Sequence, residues 1–383
     1  MNTVVKNKTW IEVSGSALVH NYRTIKRLVR PAAVMAVVKA NAYGHGLAQT
    51  VGILEKNTDV SWYGVDSVDE ALAVRKLCAK KPVLVLGYTP ISRVKDAVKA
   101  GISITTYNAS ALREANRAAT AKHPAKIHLK IETGLNRQGV TIDGLSDLLP
   151  LLRRSEHVWL EGISTHFANI EDTRDPTEAM RQLGLYERAL DSVRGQGLDP
   201  FWKHTACSAA AILYPETRFN LIRLGISLYG FWPSGETLVS AKERGINIKL
   251  KPVMTWKTIV AQVKTVKRGM AVGYGLSESM TRDAKVAILP IGYYDGFDRV
   301  GMSGNGQAII KGMRCRVIGR VAMNMCMVDV TDIGKIKEED EVVLIGKQGS
   351  EIITAEQLAQ KAGTINYEIV ARLNPLIPRI VIK

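Results

Sequence analysis

Residues 36–46 read AVVKANAYGHG, and the apolar run that leads into them, residues 34–38, stops at a single lysine, Lys39. Five apolar residues followed at once by Asn, Gly and Gly read as a buried strand that ends with Lys39 at its mouth. Such a lysine has two readings. It caps the strand and reaches solvent, the ordinary fate of lysines, or it is partly desolvated, loses some preference for its charged form and adds to a carbonyl as a neutral amine. The wider chain bears on the choice.

Outward from that stretch, short apolar runs recur: MAVVK at 35–39, WYGV at 62–65, PVLVLG at 82–87, ISITT at 102–106, KIHLKI at 126–131, LEGIST at 160–165, FWKHTA at 201–206 and LIRLG at 221–225. Before them, TWIEV at 9–13 alternates like a strand, Ser14 or Ser16 can cap a helix through about Val29, and Pro31 closes that unit. Helical stretches lie between the runs, including SVDEALAVRKL, where Ser67 and Glu70 have capping-box spacing, and LREANRAATA at 112–121. Eight strands alternating with helices predict a (β/α)8 barrel of TIM type over residues 13–238. A doubly wound sheet shares the local alternation, but the count of eight and the lack of GxGxxG after the first strand favour the barrel. Barrel chemistry sits at the carboxyl ends of the strands, which is where Lys39 falls.

After Gly230 the texture changes. MTWKTIVAQVKTV, KVAILPIG, QAIIKGMRCRVIG, MCMVDV and DEVVLIG are strand-like runs punctuated by Gly and Asp, with one helix expected at 355–362 and a last strand in PRIVIK. Residues 239–383, joined by an N-terminal strand within 1–12, therefore read as a second, mostly β domain. No internal repeat or low-complexity segment interrupts this order.

Composition narrows the function. The net charge of +16 is spread in short groups, and no nucleic-acid reading motif accompanies it, so a nucleic-acid partner is not expected, although the field can steer an anionic ligand. The four cysteines, Cys78, Cys207, Cys315 and Cys326, are far apart and form neither a disulfide frame nor a zinc site. There is no HExxH among the seven histidines, so no metal is expected. No run reaches the roughly 20 apolar residues that span a bilayer, and the N-terminus lacks a signal-peptide core, so a cytoplasmic protein without a membrane partner is expected.

Several polar residues fall at the predicted strand ends. Lys130 and Arg137 bracket IETGLN, His166 ends the sixth strand, His204 and Ser208 surround the end of the seventh, and Arg223 lies in the eighth just before Gly225. Each has a plain alternative: a surface arginine, a satisfied core histidine, a helix cap. Together they cluster where a barrel keeps its site.

These stretches carry a resemblance. VVKANAYGHG looks like the cofactor-lysine signature of alanine racemases, and KIETGLNRQG at 130–139 is similar to that family's KxDTGMxRxG. EGISTHFAN at 161–169 and LIRLGISLYG at 221–230 resemble its sixth-strand and RPGIxLYG motifs, and LKPVMTWKT, VGYGLS, LPIGYYDGFDR and GRVAMNMCMVDV follow in the family's order. The likeness runs from Trp10 to the C-terminus. It implies a pyridoxal 5'-phosphate enzyme that interconverts L- and D-alanine, supplies D-alanine for bacterial peptidoglycan, and works as a homodimer with shared active sites.

The resemblance also implies roles. Lys39 would hold the cofactor and act as base on one face of the substrate Cα, and Tyr274, from the partner subunit, as base on the other. By the family's pattern Tyr274 serves the L-isomer and Lys39 the D-isomer. Tyr43, Ser208, Tyr367 and the amides of Gly225 and Ile226 would hold the phosphate. Arg223 would face the pyridine nitrogen and link to His166, with His204 in support. Arg137 and the backbone at Met323 would meet the substrate carboxylate, Lys130, carbamylated, would orient Arg137, and Tyr293 with Tyr367 would narrow the entrance. Glu132, Leu135, Cys207 and Leu224 depart tolerably from the family's residues. Asn324 replaces an aspartate, which opens serine or broader amino-acid racemisation as an alternative. A decarboxylase of the same architecture is a further alternative, against which Arg223 argues, and a non-catalytic cofactor or nucleic-acid binder is the alternative outside enzymes.

Overall fold

The computed structural model describes residues 7–383, so the expected strand within 1–12 lies partly outside it, and its described part opens a strand at Thr9–Ser14. The chain divides into two compact units. One runs from Ala17 to Lys251 without residues 41–49; the other joins the segment ending at Ser16, residues 41–49 and everything from Pro252 onward.

The first unit is a nearly closed parallel barrel with helices between its strands. Its eight strands are Ala33–Val37, Trp62–Val65, Val83–Val85, Ser103–Thr106, Ala125–Lys130, Val158–Ser164, Trp202–His204 and Leu221–Leu224. Each pairs in parallel with its predecessor from the second to the seventh, and the eighth pairs with the first. Between the seventh and eighth, the amide of Arg223 donates to the carbonyl of Ala206 at 2.9 Å. The strands are short apolar runs because both faces are covered: residues 34–38 are all at most 5% exposed. Met35, Trp62, Leu84 and Leu221 form an apolar cluster inside the barrel, and Trp62 sets its edge against the ring of His128, where a polar layer begins.

The second unit is built mostly of sheet, in which the first and last described strands lie side by side. Thr9–Ser14 pairs antiparallel with Met254–Ile259 and parallel with Arg379–Ile382. MTWKTIVAQVKTV, read as one run, is two strands, Met254–Ile259 and Gln262–Val266, lying in different parts of the sheet. The expected helix is present at Ala355–Ala362, with Thr354 and Gln357 closing a capping box. A second helix, Asn366–Ala371, follows it.

The first barrel strand stops at Val37, two residues before Lys39. Lys39–Tyr43 then forms one helical turn in which Ala40, Asn41, Ala42 and Tyr43 all have φ between 52° and 54°, a left-handed turn of residues with side chains. Left-handed backbone costs about 1–2 kcal/mol per non-glycine residue, so neighbouring groups must hold it. Glu70 is one such group. It has the spacing of a capping box and its amide does donate to Ser67 Oγ at 3.2 Å, but its carboxylate accepts from the amides of Asp66 at 2.8 Å and Ala40 at 2.7 Å. At the far end, Gly44 has φ +79°, and a Cβ there would lie 1.8 Å from the carbonyl oxygen of Val370. Gly44→Ala is therefore expected to cost at least about 3 kcal/mol, a clash added to backbone strain. A lower urea midpoint with an unchanged slope is the readout.

Candidate functional site

The barrel unit gathers Lys39, Lys130, Arg137, His166, His204, Ser208, Arg223, Gly225 and Ile226; the β unit holds Tyr43, Tyr274, Tyr293, Met323, Asn324 and Tyr367.

Arg223 is the anchor of the first group. It is 6% exposed, and its two terminal nitrogens face five acceptors. Nη1 donates to His204 Nδ1 at 2.9 Å and to the His204 carbonyl at 2.7 Å. Nη2 donates to the carbonyls of Thr165 and Thr205 at 2.8 and 2.7 Å and to His166 Nδ1 at 3.0 Å. Burial lowers its pKa to about 10, which leaves it charged at neutral pH. A guanidinium only donates, so His166 and His204 both accept on Nδ1 and carry their own protons on Nε2. Burial, reinforced by Arg223, Lys130, Arg137 and Lys39, pushes His166 well below the ordinary histidine value, so it is neutral. The expected His166–Arg223 link is thus present.

Arg223→Leu would leave three carbonyls and two ring nitrogens without their donor. It is expected to cost about 3 kcal/mol, the penalty of breaking a buried charge network on one side. Thermal unfolding of the purified variant measures it.

Lys39 begins the left-handed turn with a side chain 41% exposed and Nζ 3.7 Å from the carboxylate of Asp66. Neither Asp66 nor Glu70 figured in the reading of the sequence as part of the site, and an SVDEALAVRKL helix offers no signal for it. Lys130 is pushed well below the ordinary lysine value, chiefly by burial and then by Arg223 and Arg137, a shift toward the neutral amine. Arg137 follows Asn136, whose φ is +54°, in a loop whose amides at Gly134 and Arg137 donate to the carboxylate of Glu132. Ser208 heads the helix Ser208–Leu213, and its Oγ accepts from the amides of Gly225 at 3.1 Å and Ser227 at 3.5 Å. Beside it the fully buried hydroxyl of Ser227 has no hydrogen-bond partner among the described residues. An anion's oxygens would complete that donor set.

In the β unit, Tyr274 occupies the short 3-10 turn Tyr274–Leu276 and is 71% exposed. The rings of Tyr43 and Tyr367 lie 6.2 Å apart. The amides of Tyr293 and Tyr294 donate to the carbonyls of Ala322 and Met323, and Asn324 Nδ2 lies 3.5 Å from the buried carboxylate of Asp295, which also takes the amide of Gly292.

An amine just past the end of the first strand, a buried guanidinium in the eighth and the Ser208–Gly225–Ser227 cluster beside it gather polar chemistry at one end of the barrel, the end where barrel enzymes keep their sites. Residues 13–233 match the family model described as the N-terminal domain of alanine racemase, and residues 253–381 that of its C-terminal domain. Alanine racemase of Methanococcus maripaludis is 39% identical over 382 residues, 98% of this chain and 99% of that one. That of Leptospira interrogans serovar Lai is 36% identical over 379 residues, 98% of this chain and 96% of that one. The solved alanine racemase of Clostridium difficile 630 superposes with a TM-score of 0.91 at 32% identity, covering 99% of this chain and 97% of that one. The chain belongs to the alanine racemase family and is an isomerase.

Proposed function

We propose that the protein interconverts L- and D-alanine with pyridoxal 5'-phosphate by a two-base mechanism. Lys39, Tyr43, Ser208, Arg223, Tyr367 and the amides of Gly225 and Ile226 hold the cofactor. The observation that carries the reading is Arg223, a charged donor fixed by five acceptors on the strand that pairs with the one leading into Lys39. The orphaned Ser227 hydroxyl beside Ser208 supports a phosphate there. When bound, the cofactor supplies an electron sink that makes the Cα proton of the attached amino acid labile.

The chain's own residues do the rest. Lys39 Nζ takes or returns the proton on one face of Cα, and Tyr274 Oη on the other, because one base cannot easily serve both faces. Arg223 offers the ring nitrogen a hydrogen bond but keeps its proton, which weakens the sink and favours return of a proton to Cα over other outcomes. Arg137 and the backbone at Met323 hold the substrate carboxylate. Lys130, its amine shifted toward the neutral form, takes up carbon dioxide as a carbamate that orients Arg137. Tyr274 works in the site of a second copy, so the active form is a homodimer; its high exposure supports this. The product D-alanine supplies peptidoglycan synthesis in the cytoplasm.

The test is chiral chromatography of purified protein with pyridoxal phosphate and each alanine isomer. Both are expected to approach equal amounts of L and D. Release of carbon dioxide without inverted product would transfer the protein to the decarboxylases. A broader substrate range, serine included, is favoured by Asn324, whose amide faces Asp295 where the family commonly has an aspartate; a substrate panel in the same assay reads it.

A further inference from the structure

The polar contacts of Arg223 do not stop at His204. His204 Nε2 lies 2.9 Å from His128 Nδ1, His128 Nε2 lies 3.3 Å from Glu161 Oε2, and the same oxygen accepts from Ser103 Oγ at 2.5 Å. His128 and His204 are 0% exposed, Ser103 1% and Glu161 6%, so the row runs through the barrel interior, where apolar layers are the rule.

Its direction is fixed at both ends. The guanidinium only donates and an ionised carboxylate only accepts. His204 therefore accepts on Nδ1 and donates from Nε2; His128, receiving that proton on Nδ1, must carry its own on Nε2, toward Glu161. Both rings favour the neutral form: burial, with Arg223 adding, holds His204 well below the usual histidine value, and at His128 burial outweighs the opposing pull of Glu161. Burial alone would raise Glu161, but His128 and Ser103 outweigh it and keep the carboxyl ionised. The His128–Glu161 contact is long, at 3.3 Å, and among the described residues no other group partners His128 Nε2, so Glu161 is the group that faces this proton.

Two backbone features make room for the row. Between the fifth and sixth strands Ile127 pairs with Leu160 and His128 with Gly162, so Glu161 is the extra residue of a β-bulge, which re-aims a side chain. At Gly162 a Cβ would lie 2.4 Å from His128 Nδ1, so any other residue would push the ring out of line.

We propose that Glu161 is a positioning residue for Arg223, acting through His128 and His204: its carboxylate fixes both ring tautomers, and these fix where the guanidinium points. The proposal rests on the reading that Arg223 faces the ring nitrogen of the cofactor.

Histidine-15N labelling and long-range 1H–15N spectra give the tautomers, on protein with and without pyridoxal phosphate. Wild type is expected to show His128 and His204 as single Nε2–H forms in both states. Glu161→Leu should lose the single form at His128, shift the visible absorbance of the lysine-linked cofactor and lower kcat by about 10- to 100-fold, the usual effect of removing an outer hydrogen-bonding partner, with KM for alanine nearly unchanged. Glu161→Gln, which keeps an acceptor, should restore the tautomer and most of kcat. Gly162→Ala, which alters no charge, should reproduce the loss by displacing the ring, and it serves as the test if Glu161→Leu fails to fold. Unchanged tautomers in Glu161→Leu or Gly162→Ala, or equal losses in the Leu and Gln variants, would overturn the proposal. Absence of cofactor binding or racemisation in wild type would sink the functional reading instead, and the tautomers of the cofactor-free protein would still decide the role of Glu161.

Discussion

Lys39→Ala is expected to abolish the visible absorbance of the cofactor-loaded protein and to lower racemisation by at least about 10⁴-fold, the upper range for loss of a positioned base. Two functions go at once. In the proposed mechanism the side chain is both the covalent tether of the cofactor and the base on the face of Cα that serves the D-isomer, and Lys39 is the lysine at the head of the turn at 39–43. Stability should change little, because the side chain is 41% exposed and its ion pair with Asp66 is a surface one, of the kind worth at most about 1 kcal/mol. A fold that survives with activity lost is therefore the expected combination. Borohydride reduction followed by peptide mass mapping gives a readout independent of turnover: wild type should carry the cofactor mass on the Lys39 peptide, and the variant on none. Retention of racemisation in Lys39→Ala would remove Lys39 from the chemistry.

Tyr274→Phe removes one hydroxyl and is expected to lower racemisation by about 10³-fold while leaving one half of the reaction intact. The residue is 71% exposed in its own subunit, so the substitution should shift stability by no more than about 0.5 kcal/mol in the isolated chain. With Lys39 present, D-alanine should still exchange its Cα hydrogen with deuterium oxide, because in the proposed mechanism Lys39 serves that face. L-alanine should not. Equal exchange of both isomers in this variant would mean that the proton on the second face is handled by another group.

The fold was largely readable because each barrel strand is a short apolar run bounded by polar or glycine residues; WYGV was read at 62–65 and the strand is Trp62–Val65. The turn after the first strand was not. Asn41 and two glycines suggest a turn, but nothing in Ala40, Ala42 or Tyr43 favours a left-handed backbone, and the contacts that hold it, Glu70 on Ala40 and Arg379 on the carbonyl of Gly44, come from 30 and 335 residues away. His166, His204 and Arg223 were legible as polar residues at strand ends, and the structure joins them in one set of hydrogen bonds. Glu161 and His128 were hidden for a geometric reason. In a regular strand the residues on either side of Glu161 would fix which way it points, and only the bulge at Glu161 itself turns that register. A charged residue inside a barrel strand was the signal available. The proposed role of Tyr274 has no local signature at all, because it depends on a second chain.

Subunit complementation tests the two-base reading most directly. Lys39→Ala and Tyr274→Phe proteins, each nearly inactive, are dissociated, mixed and reassembled. If Tyr274 acts across the interface, each hybrid dimer holds one site with both defects and one with both bases intact, and random assembly should restore about a quarter of wild-type activity. If Tyr274 acts within its own chain, every site in the hybrid carries one defect, and the mixture would stay as inactive as its parts.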